Sequence, residues 1–254
     1  MKKGRFFFHL LSTEAIGEKR TVPFSPDRRD VMKFEHVLPA DIEKNSMRII
    51  GEELAERGIE VPEEKVAVVK RVIHTTADFD YAENLRFTEG AVEKAVAAFA
   101  GGGKTIITDT NMALAGISKP SLAKFGDAAE CYMADPEIMK IAKENGTTRA
   151  VASMERGMEK YPDAVFAVGN APTALIRIAE MIEAGAKPTL VIGVPVGFVN
   201  VVESKEYALE VCEKYGIPGI FAMGRKGGSN VAATICNALL YTAAGTVDPD
   251  KRWK

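Results

Sequence analysis

Residues 164–194, AVFAVGNAPTALIRIAEMIEAGAKPTLVIGV, decide the fold. The first five are apolar and read as a short buried strand. Gly169, Asn170 and Ala171 then turn the chain. Pro172 suits the first turn of a helix, where its missing N–H costs nothing. The helix is expected over 172–184 and a second strand over 190–194. Short apolar strands joined through longer helices argue for a parallel sheet covered on both faces.

The same alternation runs outward in both directions. Toward the C-terminus, a helix is expected over 203–215, a strand over 219–223 and a helix over 230–240. Toward the N-terminus, 148–160 reads as a helix, preceded by a weak strand at 129–133. That strand leads into Asp135-Pro136-Glu137, a helix start with Asp as cap and Pro in the first position. Residues 105–108 form a strand with a helix from Asn111, and 89–100 a helix stopped by Gly101-Gly102-Gly103. Residues 66–73 are rich in β-branched side chains and read as a further buried strand. Before them, 41–57 carries Ile42, Met47, Ile50 and Leu54 near helical spacing and closes at Gly58. The expected fold is α/β: a three-layer α/β/α arrangement with a mainly parallel sheet of about five strands, flavodoxin-like or Rossmann-like. Strand order is not legible in this pattern.

With 254 residues, 46% apolar and 27% charged, the chain has the balance of a soluble α/β domain. That domain is expected over 32–254, after a polar extension at 1–31 with Pro23, Pro26 and the charged run 27–30. Met32 is an alternative start. The apolar run 6–11 contains His9 and is followed by Glu14 without a small-residue cleavage site, so it does not read as a signal peptide. No stretch approaches the ~20 apolar residues that span a bilayer. A net charge of −2 gives no reason to expect nucleic acid or an anionic membrane as partner. Cys131, Cys212 and Cys236 are odd in number and lack Cys-x-x-Cys spacing, which fits helix faces or core in a reducing cytoplasm.

Chemistry-bearing residues gather where strands are expected to end. Val72 to Asp80, VIHTTADFD, places His74 at the end of an apolar run, with a side chain able to titrate near neutrality. His9 and His36 lack such a setting. The other strands run into Asp109-Thr110-Asn111, into Gly169-Asn170-Ala171, into the turn from Pro195 to Asn200, and into Gly224-Arg225-Lys226-Gly227-Gly228-Ser229-Asn230. In a parallel sheet all of these fall on the carboxyl edge, where ligands bind.

Singly, each has a second reading. Asn170 fits a helix cap, Asp109 a turn, and His74 a hydrogen-bonded structural histidine. The 224–230 turn offers N–H groups at a helix start beside two cations, which attracts an anion. It lacks Walker A spacing, no Gly-x-Gly-x-x-Gly follows a strand, and no Gly-x-Ser-x-Gly elbow is present. No second histidine or cysteine is placed to share a metal with His74, so no protein-bound metal is expected. One acid/base group, polar loops, anion-favouring turns and apolar walls suit proton-assisted rearrangement of a large acidic molecule. A phosphate- or nucleotide-dependent enzyme and a non-catalytic tetrapyrrole carrier remain alternatives.

At these motifs the sequence resembles the precorrin-8X methylmutase family, especially its cobalt-precorrin-8 members. The matching segments are Asp41-Ile42-Glu43-Lys44-Asn45-Ser46, 72–80, Asn84-Leu85-Arg86-Phe87, 108–112, Ala115-Gly116-Ile117, 169–177, 191–204 and 224–237. They run in order from about residue 37 to 241, and nothing carries over to the first thirty or so. The resemblance implies a flavodoxin-like fold, a homodimer with active sites near the subunit interface, and migration of a methyl group from C-11 to C-12 of a corrin precursor. It implies His74 as the acid/base residue and Ser46 and Arg71 as substrate contacts. No cofactor is implied, and any cobalt belongs to the substrate.

Further contacts are expected from Arg86, Arg225 and Lys226 to the substrate's carboxylates. Val196 and Gly197 belong to an apolar wall for the macrocycle. Thr75, Asp109, Thr110, Asn111, Asn170, Gly227, Gly228 and Ser229 complete the expected rim. On a strand, Arg71 and His74 would point to opposite faces, so Arg71 needs a bend or a subunit contact to join the site.

Overall fold

The computed structural model describes residues 39–252. The extension at 1–31, its boundary at 32, Met32, His9 and His36 lie outside these residues. Two helices come first, α1 (Pro39–Glu56) and α2 (Glu63–Thr76), then a short α3 (Tyr81–Asn84) and an edge strand β1 (Leu85–Phe87). There follow α4 (Ala91–Gly101), β2 (Thr105–Thr108), α5 (Asn111–Gly116), α6 (Lys119–Phe125), β3 (Ala128–Glu130), α7 (Pro136–Glu144) and α8 (Arg149–Lys160). The remainder alternates strictly: β4 (Val165–Val168), α9 (Pro172–Glu183), β5 (Leu190–Gly193), α10 (Val201–Tyr215), β6 (Gly219–Ala222), α11 (Ser229–Ala243), and a last turn α12 (Pro249–Arg252). Asp135 caps α7 by accepting the Glu137 N–H at 2.8 Å, with Pro136 at the first position as its sequence requires.

The sheet order is β1-β6-β5-β4-β2-β3. Five strands are parallel, and β1 joins β6 antiparallel. Within the parallel set the order β3-β2-β4-β5-β6 is that of a flavodoxin-like sheet, and the direction of winding reverses between β2 and β4. Alternate strand residues face opposite layers. Ile106, Val165, Ile192 and Ile220 share one core with α4, α11 and, behind them, α1 and α2. Ile107, Phe166, Val191 and Phe221 share the other with α8, α9 and α10.

Two expectations need correction. The sheet has six strands, because three-residue β1 is too short to announce itself. More consequentially, 66–73 is not a strand but the body of α2. Its buried residues are Val68, Val69, Val72 and Ile73. That spacing buries one helical flank and leaves Lys70, Arg71 and His74 outside it. A strand buried on both faces would have to swallow Lys70 and Arg71. Glu63 and Glu64 in the first turn also favour a helix start, through the positive end of its dipole.

Candidate active site

The switch point between β2 and β4 is closed by Asp109. Its side chain is 0% exposed. One carboxylate oxygen accepts the Gly169 N–H at 2.8 Å, and the other accepts those of Asn170 at 2.8 Å and Ala171 at 2.7 Å. Burial raises this carboxyl above its ordinary value, against the pull of those three donors. Asp109 is therefore a clasp between the β2 and β4 loops rather than a substrate contact. Asn170 does not cap α9, since Ala171 holds that position without a side-chain bond. Asn170 lends Asp109 its backbone N–H and leaves its side chain exposed.

The remaining loops lock onto this clasp. Thr110 caps α5 through the Ala113 N–H at 3.0 Å, and its hydroxyl meets that of Ser229 at 2.8 Å. Gly169 must be glycine, because a Cβ there would stand 2.6 Å from the Ser229 Cα. Gly227 is pressed against the Val194 carbonyl in the same way. The Gly228 N–H donates to Val194 O at 2.9 Å and that of Gly197 to Arg225 O at 3.3 Å, so neither is free for an anion. Asn111 and Met112 open α5 in solvent, with Met112 72% exposed. The β5–α10 turn carries half-exposed Val196 beside Phe198 and Val199, at 82% and 77% exposure. The Arg225 guanidinium lies over the Phe198 ring, 5.4 Å from its centre. These form a solvent-facing rim of apolar surface with a cation on it.

His74 reaches this edge by a helix rather than a strand. It stands exposed in the last turn of α2, which Ala77 ends in the left-handed conformation. Thr75 binds Thr234 of α11 across a 3.0 Å hydroxyl contact, seating the end of α2 beside the first half of α11. After it, Asp78 and Asp80 each accept from Lys226 Nζ at 2.6 Å. Hydrogen bonds from Lys226 hold the Asp78 carboxyl below its ordinary value, and the two carboxylates push the Lys226 ammonium up in turn. Lys226 is thus a tie between the β6–α11 loop and the end of α2, paired to both carboxylates.

The helix also changes the relation of Arg71 to His74. Three residues apart on α2, they share a flank, and no bend is needed to bring them together. Arg71 is held by Glu43 of α1 at 2.5 Å and lies over the Tyr241 ring at 4.9 Å. Arg252 also donates to both Glu43 oxygens, at 3.0 and 2.8 Å. Burial works to raise the Glu43 carboxyl, but the two guanidiniums outweigh it and hold it below the ordinary value. Ser46, one turn beyond Glu43, donates to Ile42 O at 2.8 Å. Arg86 is exposed on β1 and donates to the Glu83 and Leu85 carbonyls.

One residue of the site went unread in the sequence. Lys205 of α10 is 0% exposed, and its ammonium donates to the Gly224 and Lys226 carbonyls at 2.8 Å each. Burial pushes it down to about 8. Its position on the stripe Val201, Ser204, Lys205, Ala208, Val211, Cys212 was the available signal, since these residues line one helical face. Cys212 and Cys236 are buried and Cys131 is partly so, all with free thiols. Among the described residues, no group of three or more His, Cys, Asp or Glu is placed to hold a metal ion. Among them, too, no helix is long and apolar enough to cross a membrane.

Fold and loops together define an α/β protein of flavodoxin-like sheet order, with one exposed histidine and several cations gathered near the carboxyl edge of that sheet. The family model for precorrin-8X methylmutase matches residues 41–242. A cobalt-precorrin-8 methylmutase of Salmonella typhimurium is 43% identical over 210 residues, covering 80% of this chain and 95% of that protein. A precorrin-8X methylmutase of Pseudomonas aeruginosa is 38% identical over 78% of this chain and 93% of its own. The crystal structure of precorrin-8X methylmutase from Thermus thermophilus superposes with a TM-score of 0.71 at 38% identity, covering 81% of this chain and 98% of that one. The chain belongs to the precorrin-8X methylmutase family, isomerases of cobalamin biosynthesis. That membership decides against the nucleotide-dependent enzyme and the passive carrier.

Proposed function

We propose that this enzyme moves a methyl group from C-11 to C-12 of precorrin-8 or cobalt-precorrin-8, giving hydrogenobyrinate or cobyrinate, with His74 as general acid. The observation that carries this reading is the exposure of His74 at the end of α2, beside the loops that close the carboxyl edge of the sheet. In the migration the bond from the methyl group to C-11 breaks as its bond to C-12 forms. No electrons are gained or lost, so neither a redox partner nor a nucleophile is required. Protonation of a macrocycle atom polarises the conjugated system and favours the shift, and His74 then takes the proton back.

The site's other residues have roles that fit. Exposed Val196, Phe198 and Val199 suit the flat apolar face of a macrocycle. Arg225 and Arg86 are exposed, which suits contact with its carboxylates. Arg71 can exchange Glu43 for a substrate carboxylate because Arg252 stays on Glu43 and keeps it neutralised. Ser46, Thr75, Asn111 and Asn170 complete the contacts, with Thr110, Gly197, Gly227, Gly228 and Ser229 shaping the loops that bear them. The same reading carries a homodimer with active sites near the subunit interface, a cytoplasmic location and no cofactor. Cobalt, where present, is held by the substrate.

The test is a His74→Gln variant incubated with metal-free and cobalt-loaded precursor, followed by visible spectra. Macrocycle binding should persist and turnover should fall at least about a hundredfold. Rearrangement at a near-normal rate would sink the assignment.

A further inference from the structure

We propose that Lys205 is a positioning residue for the methyl migration, gripping the 224–226 loop from inside so that this loop can hold the His74 end of α2 in place. The inference rests on the reading of His74 as the acid.

A fully buried ammonium is costly, and a residue chosen only for packing at this point of α10 would be apolar. Among the described residues Lys205 has no carboxylate partner. Its two bonds go to the backbone carbonyls of Gly224 and Lys226, which bracket Arg225. Fixing these two carbonyls fixes the peptide planes from which the Arg225 and Lys226 side chains depart. Arg225 leaves toward Phe198 and solvent. Lys226 takes both Asp78 and Asp80 at 2.6 Å.

Asp78 lies four residues beyond His74, directly after the left-handed Ala77 that ends the helix. The Met223 N–H donates to Asn84 O at 2.9 Å and fastens the other end of this segment to the root of the same loop. One loop is therefore held on both sides, by Lys205 within and by the Asp78–Asp80 pair without. Exposed ion pairs are weak alone because ordering two long side chains opposes them. Here the backbone carrying Lys226 is already immobile, which removes part of that opposition. The buried lysine thus orders an exposed histidine with which it shares no described hydrogen bond.

The experiment compares full-length wild type with Lys205→Met, Lys226→Met and the double variant, using the corrin precursor as substrate and counting only folded enzyme. Lys226→Met cuts the outer link alone, so kcat should fall at least about tenfold with KM nearly unchanged. Lys205→Met frees the whole loop, so kcat should fall and KM rise, each by about tenfold or more. The double variant should lose no more kcat than Lys205→Met alone, because both act through one connection.

If Lys205 serves only stability, Lys205→Met will lower the yield of folded enzyme while the folded fraction keeps wild-type kcat and KM, and the proposal is overturned. Multiplicative losses in the double variant would overturn it as well. Should Lys205→Met give no folded protein, the exposed Lys226 decides the matter, and an unchanged kcat in Lys226→Met counts against the proposal. His74→Gln run in parallel keeps the two ideas apart. Full turnover there refutes the acid, whereas full turnover in the lysine variants refutes only the positioning.

Discussion

Asp109 and His74 stand at the same edge of the same sheet, and the protein uses them in opposite ways. Asp109 is sealed from solvent and spends both oxygens on three backbone N–H groups. His74 is open to solvent at the end of a helix. Lys205 belongs with Asp109, and Arg225 and Phe198 with His74. The edge thus divides into a buried polar frame, which orders loops by bonding to their backbone, and an exposed rim open to solvent. A buried charge that loses its partners costs far more than an exposed one. Frame substitutions should therefore register first in stability and rim substitutions in turnover.

The sharpest test of that division is on the rim. His74→Gln should lose at least about a hundredfold in turnover with an unchanged unfolding midpoint, as measured by single-turnover spectra and thermal melts. A matching fall in stability would move His74 into the frame. Next comes Asp109→Ala, which strands three backbone N–H groups. Chemical denaturation should show a loss of about 3 kcal/mol or more. A neutral result would break the comparison from the other side.

Lys205 offers a pH test with a definite sign. Burial holds its ammonium near 8, below the ~10.4 of an unfolded chain. Between those values the unfolded chain binds more protons, so this lysine's contribution to stability improves as pH rises. The Cys212 and Cys236 thiols, each pushed up to about 12 by burial, act in the opposite sense above the ordinary thiol value. Denaturation of wild type and Lys205→Met across pH 8 to about 10 separates the two effects, because only the lysine differs between them. The stability difference should move in favour of wild type as pH increases, and a flat difference would remove Lys205 from the frame.

The smallest effects belong to side chains that only fringe the edge. Arg225→Ala should raise KM several-fold, to about tenfold, with little change in kcat, since it removes one exposed charge contact. Asn170→Ala leaves its backbone N–H on Asp109 and should shift stability by less than about 0.5 kcal/mol.

Much of this architecture is visible in the chain before it folds. Four strands, at 105–108, 165–168, 190–193 and 219–222, are short apolar runs with glycine or polar turns behind them. Asp135 and Pro136 announce α7 through chemistry local to the first turn. His74 also stands out, as a titratable residue among hydroxyls and carboxylates. The α2 segment reads as a strand because Val66, Val68, Val69, Val72 and Ile73 carry β-branched side chains. What marks a helix is the pair that interrupts them, Lys70 and Arg71. In the sequence Asp109 and Lys226 read as ligand contacts because their partners, at 169–171 and at 78 and 80, are remote along the chain.

The amino-acid order alone thus determined a parallel α/β sheet, the turns that share its carboxyl edge, and the presence of a histidine near them. These follow from periodicity and from bonds reaching only a few residues along the chain. Which polar groups are buried was decided by the tertiary structure alone. Lys205 and Asp109 become frame, Lys226 a tie and Arg71 a neighbour of His74 only after loops distant in sequence close over them. Desolvation and hydrogen bonding depend on what surrounds a side chain in space.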